Sequence, residues 1–228
     1  DSDAAKAGAK DVIQQRFAKW LTQQRTRVRN WTTIKPTAYS ANLPYLELED
    51  GGVIFASGDS TKHDIYHLEF SVDLKNVTAL RIEALPDPRL PNNGPGMTNY
   101  EGTIGDFFLT EFELKANANR IKFTKAEHSY AKNRYGDKDT SAKTMIDGDI
   151  QTGWSVHEGQ GQRHVAVLLP ARPIPSGKWS LQMHFGRHFS SSLGKFRLSI
   201  ATDDKLLTAI ELPPVVERLL LIDPASLS

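Results

Sequence analysis

The residues best suited to chemistry lie in one stretch, Ala142-Lys143-Thr144-Met145-Ile146-Asp147-Gly148-Asp149-Ile150-Gln151-Thr152-Gly153-Trp154. Asp147 and Asp149 stand two apart around Gly148 and are followed by the Thr152 hydroxyl. A tight turn there would gather hard oxygen donors of the kind calcium takes at about 2.3 to 2.6 Å. The bland alternative is an ordinary Asx turn, common wherever strands are joined. The histidines His63, His67, His128, His157, His164, His184 and His188 show no i, i+4 pairing on a helix. His63 and His67 are four apart but fall at the start of an expected strand, where that spacing is long for one ion, so zinc is not expected. Ser190-Ser191-Ser192 beside His188 has no Gly-x-Ser-x-Gly elbow and reads as a loop. For glycan cleavage, Asp106, Glu111 and Asp137 are the candidate acid and base, and the carboxylate separation that chemistry needs is a three-dimensional quantity.

Sugar recognition asks for aromatic faces and planar polar side chains on loops. Tyr100, Trp154, His63 and His157 supply the rings, and Arg163, Arg187 and His188 the cationic and planar groups. Arg187-His188, in the Gly186 to Gly194 loop, is the most ligand-like cationic pair and would suit a sulfate or carboxylate. Trp154 is as well placed for the core as for a platform. Trp179 alternates with Leu181, Met183 and Phe185 and belongs to the core. Arg81 and Glu83 share the face opposite Leu80 and Ile82, which predicts a surface ion pair across strands.

These candidates need a scaffold, and the hydrophobic period says which. From Ala4 to about Arg29, Val12, Ile13, Phe17, Trp20, Leu21 and Val28 recur at three- and four-residue steps, which predicts an amphipathic helix with a basic opposite face. From Tyr45 the period is two. Tyr45–Glu49, an Asp50-Gly51-Gly52 turn and Val53–Ala56 predict a hairpin. Tyr66, Leu68, Phe70 and Val72 predict a strand with one core face. Further strands are expected over 77–85, 107–114, 120–123, 163–169, 178–185 and 195–201. Pro213-Pro214 before Val215–Ile222 favours a short closing helix. Short strands without a βαβ rhythm predict an all-β antiparallel sandwich of jelly-roll type, with a flanking N-terminal helix and a short C-terminal helix. The expected divisions are 1–36, helix and linker packed on the body; 37–212, the sandwich; and 213–228, the helical tail.

Composition bounds the function. The chain has 228 residues, 28 Lys+Arg against 27 Asp+Glu, and no cysteine. A balanced charge supplies no global field for nucleic acid. Without cysteine there is no disulfide, thiolate metal site or covalent haem attachment within these residues. No apolar run approaches the roughly 20 residues that cross a bilayer.

Two resemblances sharpen the expectation. Ala-x-x-x-Ile-Asp-Gly-Asp-x-x-Thr-Gly-Trp resembles the opening motif of discoidin-type, galactose-binding-like β-sandwich modules, among them many carbohydrate-binding modules. The resemblance implies a structural calcium held by Asp147, Asp149, Thr152 and a strand glutamate. Leu109-Thr110-Glu111-Phe112-Glu113-Leu114 looks like that strand and offers Glu111, although here it precedes the motif. Across more of the chain, Gly51-Gly52-Val53-Ile54-Phe55-Ala56-Ser57-Gly58, Leu85-Pro86-Asp87-Pro88-Arg89-Leu90-Pro91, Asn93-Gly94-Pro95-Gly96, Gly105-Asp106-Phe107-Phe108-Leu109-Thr110-Glu111 and Gly194-Lys195-Phe196-Arg197-Leu198-Ser199 resemble the region between conserved domains of very large planctomycete cytochrome-c-type proteins. That pattern usually has Arg where Met97 stands. It implies an extracytoplasmic protein, periplasmic or on the cell surface, whose haem-bearing domains are neighbours of this segment. The expected function is a non-catalytic carbohydrate-binding module for an acidic or complex polysaccharide. The alternatives are a docking domain that packs against haem-bearing neighbours without binding sugar, or a glycan-active enzyme.

Overall fold

In the computed structural model, residues 2–134, 136 and 139–223 are described, with the side chains of the first helix from Gly8 onward. Asp137, one of the acid–base candidates, lies outside them. The elements in chain order are α1 (Ser2–Arg27), β1 (Thr32–Ile34), β2 (Ala38–Ala41), β3 (Tyr45–Glu49), β4 (Val53–Ser57), β5 (Ile65–Val72), β6 (Ala79–Ala84), β7 (Leu109–Ala116), β8 (Asn119–Arg120), β9 (Phe123–His128), β10 (His164–Pro170), β11 (Gly177–Phe185), β12 (Lys195–Ala201) and α2 (Pro214–Leu221).

The strands belong to a unit spanning Trp31–Glu211, in two antiparallel sheets. One runs β3-β4-β12-β6-β10-β9, with β1 also paired to β12; the other runs β2-β5-β11-β7-β8. β1 and β4 share one edge of β12, Thr32 to Ile34 pairing with 198–200 and Val53 to Phe55 with 195–197.

Period-two patterning decides which faces meet. In β5 Tyr66, Leu68, Phe70 and Val72 are buried, with His67, Glu69 and Ser71 outward, and β11 does the same with Trp179, Leu181, Met183 and Phe185. These side chains face Leu80, Ile82, Phe196, Leu198 and Ile200 of the other sheet in a single core. Alternation of this kind is what a sheet with one wet face requires.

β6 breaks the alternation, since all six of its residues are buried. Its second face carries a smaller cluster of Ala79, Val165, Val167 and Ala201, over which Trp31, Leu207 and Ala209 pack. The expectation of a surface ion pair at Arg81 and Glu83 is therefore corrected. Glu83 is fully buried, and its carboxylate takes bonds from Arg163 Nη2 at 2.8 Å, Arg197 Nε at 2.8 Å and Arg81 Nη2 at 3.3 Å. Burial alone would raise this carboxyl, but the Arg197 hydrogen bond and the fields of the three guanidinium groups outweigh it and hold it down at about 2.

The helices belong to a second unit, built from residues up to Asn30 and from Leu212. α2 starts with Pro214 in its first turn, as proline's fixed φ favours. α1 forms where expected but without a buried apolar stripe: Val12, Ile13 and Phe17 are exposed, Trp20 and Leu21 half-buried. Phe17 and Trp20 stack at 5.9 Å.

Candidate functional site

β5 and β7 begin, and β11 ends, at the same end of the five-stranded sheet, with His184 opposite both Ile65 and Glu111. Two connections leave from there: residues 58–64 between β4 and β5, and 186–194 between β11 and β12. They are stitched to one another. Arg187 N donates to Lys62 O at 3.3 Å, Ser190 Oγ to Ser60 O at 3.0 Å, and Ser192 Oγ to Asp64 Oδ2 at 2.5 Å. The buried Asp64 carboxylate also accepts from Thr61 N and Thr61 Oγ1 at 2.9 and 2.8 Å, so it is turned into the loops. The serine cluster fastens a loop, as expected of it.

Beside these loops opens a groove of about 770 Å³. One side is lined by the cations Lys62 and Arg187 and the rings of His63 and His188; Phe108 and Ile150 add apolar surface, and Thr110, Gln151 and His184 polar groups. Arg187 is held flat, its guanidinium carbon 3.6 Å from the centre of the Phe108 ring and Nη2 3.4 Å from Asn133 Oδ1. A guanidinium fixed this way offers a planar donor edge at little entropic cost. Burial pushes His184 below the usual histidine range, against the pull of Glu113 and helped by His67, so its ring is neutral at pH 7.

Of the sequence candidates, His63, Arg187 and His188 come together here. Tyr100 is exposed and lines a neighbouring hollow with Asn99 and Arg89. Trp154 is wholly enclosed, edge-on to Phe107 at 5.0 Å, with Nε1 donating to Tyr130 O at 3.0 Å. His157 Nδ1 meets Thr103 Oγ1 at 3.0 Å and ties down a loop, while Arg163 belongs to the Glu83 cluster. Lys62, Phe108, Ile150 and His184 were not singled out from sequence. Only His184 left a signal, as the outward neighbour of Met183 and Phe185 on an alternating strand.

The Asp147 to Trp154 loop lies against β7. Gly148 N donates to Glu111 Oε1 at 2.8 Å, so the strand glutamate and the Asp-Gly-Asp turn do meet. Asp147 Oδ1 accepts from Asp149 N and Oδ2 from Thr152 Oγ1, at 2.8 and 2.9 Å, and Asp149 Oδ1 accepts from Gln151 N at 2.9 Å. Burial pushes the Glu111 carboxyl up to about 7; the Gly148 N–H opposes this and the Asp147 charge adds to it. These oxygens have the hardness calcium prefers, yet among the described residues no group of three or more His, Asp or Glu converges as metal ligands. Gly153 is required by close approach: a Cβ there would lie 2.6 Å from Leu109 O, across the paired bonds between Leu109 and Trp154.

Asp106 is a structural carboxylate. It accepts from Ser155 Oγ at 2.7 Å, Phe107 N at 2.8 Å and Val156 N at 2.9 Å, deep beneath the surface. Burial raises its carboxyl against those bonds.

No protein-family model matches the chain, and no curated protein is significantly similar to it.

Proposed function

We propose that this protein is a non-catalytic glycan-binding module that holds an acidic polysaccharide in the groove beside the 58–64 and 186–194 loops. The observation that carries the reading is the meeting of Lys62, His63, Arg187 and His188 around an apolar Phe108 and Ile150 wall. Cations and ring donors suit carboxylate or sulfate groups, and the apolar wall suits the C–H faces of a sugar. Asp106, one of the three acid–base candidates, is held by internal hydrogen bonds from Ser155, Phe107 and Val156 and ties loops together rather than shuttling protons, which supports binding over hydrolysis. Affinity electrophoresis through gels containing neutral, carboxylated or sulfated polysaccharide tests the reading: retardation by the acidic gels is expected, and equal mobility in all of them would refute it.

Structural calcium is a separate part of the proposal. Asp147, Asp149, Thr152 and Glu111 would hold it, and it would order the loop that brings Ile150 and Gln151 to the groove. An extracytoplasmic location beside haem-bearing domains is proposed from the sequence resemblance alone. A docking role for the helical unit is a second reading, favoured by the exposed Val12, Ile13 and Phe17 of α1.

A further inference from the structure

The groove has a neighbour. The same two loops also line a hollow of about 380 Å³, together with Ser57, Asn99 and Tyr100 among others, through Asp59, Ser60 and Ser190. Lys62 and Ser60 are two residues apart, as are His188 and Ser190, so lining residues of the two cavities lie within about 7 Å of one another along the chain. The two loops are braced by the Ser190–Ser60 and Arg187–Lys62 bonds.

The two cavities differ in charge. Among the described residues the groove is lined by Lys62, Arg187 and the His63 and His188 rings against one carboxylate, Asp64, which is turned inward to Thr61 and Ser192. Among the described residues the hollow's one cation is Arg89, which lies 3.7 Å over the Phe55 ring and is paired with Asp87 at 2.8 Å and Glu49 at 2.5 Å. What the hollow offers instead is an 80% exposed Tyr100 ring beside the exposed Asn99 amide and Asp59 carboxylate. An aromatic face with planar polar neighbours suits an uncharged sugar ring, and Asp59 disfavours an anionic one.

From this juxtaposition we infer that the groove and the hollow are two subsites of one extended site, the groove taking an anionic sugar unit and the hollow, through Tyr100, an uncharged unit of the same chain. The inference rests on the glycan-binding reading and narrows it: the ligand is an acidic heteropolysaccharide bound over several units. It is neither a monosaccharide nor a chain in which every unit is charged.

The test is calorimetric titration of the full chain with hyaluronan oligosaccharides, which alternate charged and uncharged units, and with oligogalacturonate, which is charged at every unit. Wild-type, Tyr100→Ala and Lys62→Ala proteins are compared. The expected result is affinity that rises with hyaluronan length from the disaccharide upward. Tyr100→Ala should lose about five- to tenfold on long hyaluronan and be unchanged on oligogalacturonate. Lys62→Ala should weaken both. Both side chains are exposed, so circular dichroism should show intact folds. Binding that is indifferent to Tyr100, or as tight to the disaccharide as to the long chain, would overturn the two-subsite inference while leaving the glycan-binding reading standing. No binding to either probe would overturn the two-subsite inference, and together with free migration through the sulfated gel it would overturn the glycan-binding reading as well.

Discussion

At Arg187 shape matters as much as charge: its guanidinium lies flat on Phe108 with a donor edge at the groove. Arg187→Lys keeps the charge and loses the plane, so affinity for an acidic polysaccharide should fall about tenfold or more, as bidentate sites lose on this exchange. Titration of the two proteins with polygalacturonate checks this. Glu83 is the opposite case, a carboxylate that only holds structure together. Its folded pKa, about 2, lies below the unfolded value, so its stabilisation is complete above about pH 4.5 and is lost as pH falls toward 2. Integrated over that interval the effect is about 3 kcal/mol. Glu83→Gln removes the buried charge that three guanidinium groups share and should cost about 3 to 5 kcal/mol at pH 7, measured by urea unfolding. At pH 2 the two proteins should be nearly equal in stability.

At the scale of elements, two clamps shape the site, and each yields a prediction. The first is Asp64, which locks the 58–64 loop to Ser192. Asp64→Ala should destabilise the fold by about 1 to 3 kcal/mol and weaken glycan binding without removing any groove cation. Thermal unfolding and electrophoretic retardation, measured on the same variant, separate the two effects. The second clamp is the Asp147 to Trp154 loop on β7. If calcium occupies it, calcium should raise Tm in the native protein and not in an Asp147→Ala, Asp149→Ala variant; an unchanged calcium response would remove the metal assignment. Strands with one wet face were legible in the sequence, because β5 and β11 alternate without exception over their cores. β6 misled, since Arg81 and Glu83 look like surface residues until Trp31 stacks on Arg81 and Arg163 and Arg197 close over Glu83. β1 and β2, of three and four residues, carry too little periodicity to read. The Arg187-His188 pair was legible as a candidate ligand pair on a loop, whereas Phe108, Ile150 and Lys62 join it only through loop closures whose partners lie up to 130 residues apart, as Ser60 and Ser190 do. Trp154 could not be assigned from sequence between core and platform; the pairing of Gly153-Trp154 with Leu109 takes it inside.

For the molecule as a whole, a net charge of +1 hides an uneven distribution. Glu83 is paired with guanidinium groups and the Asp64 carboxylate is turned into its loops, while Lys62 and Arg187 line the groove, so an anionic polymer meets cationic side chains there that the total does not reveal. Binding should therefore weaken as ionic strength rises from about 0.05 to 0.5 M, because exposed charges are screened over that range. The most direct test of the central claim is affinity electrophoresis of the native protein and a Lys62→Ala, Arg187→Gln variant through gels containing dextran, polygalacturonate or dextran sulfate. The account predicts retardation of the native protein by one or both acidic gels, free passage through dextran, and loss of the retardation in the variant. Free migration of the native protein in every gel, or retardation that survives in the variant, would contradict it.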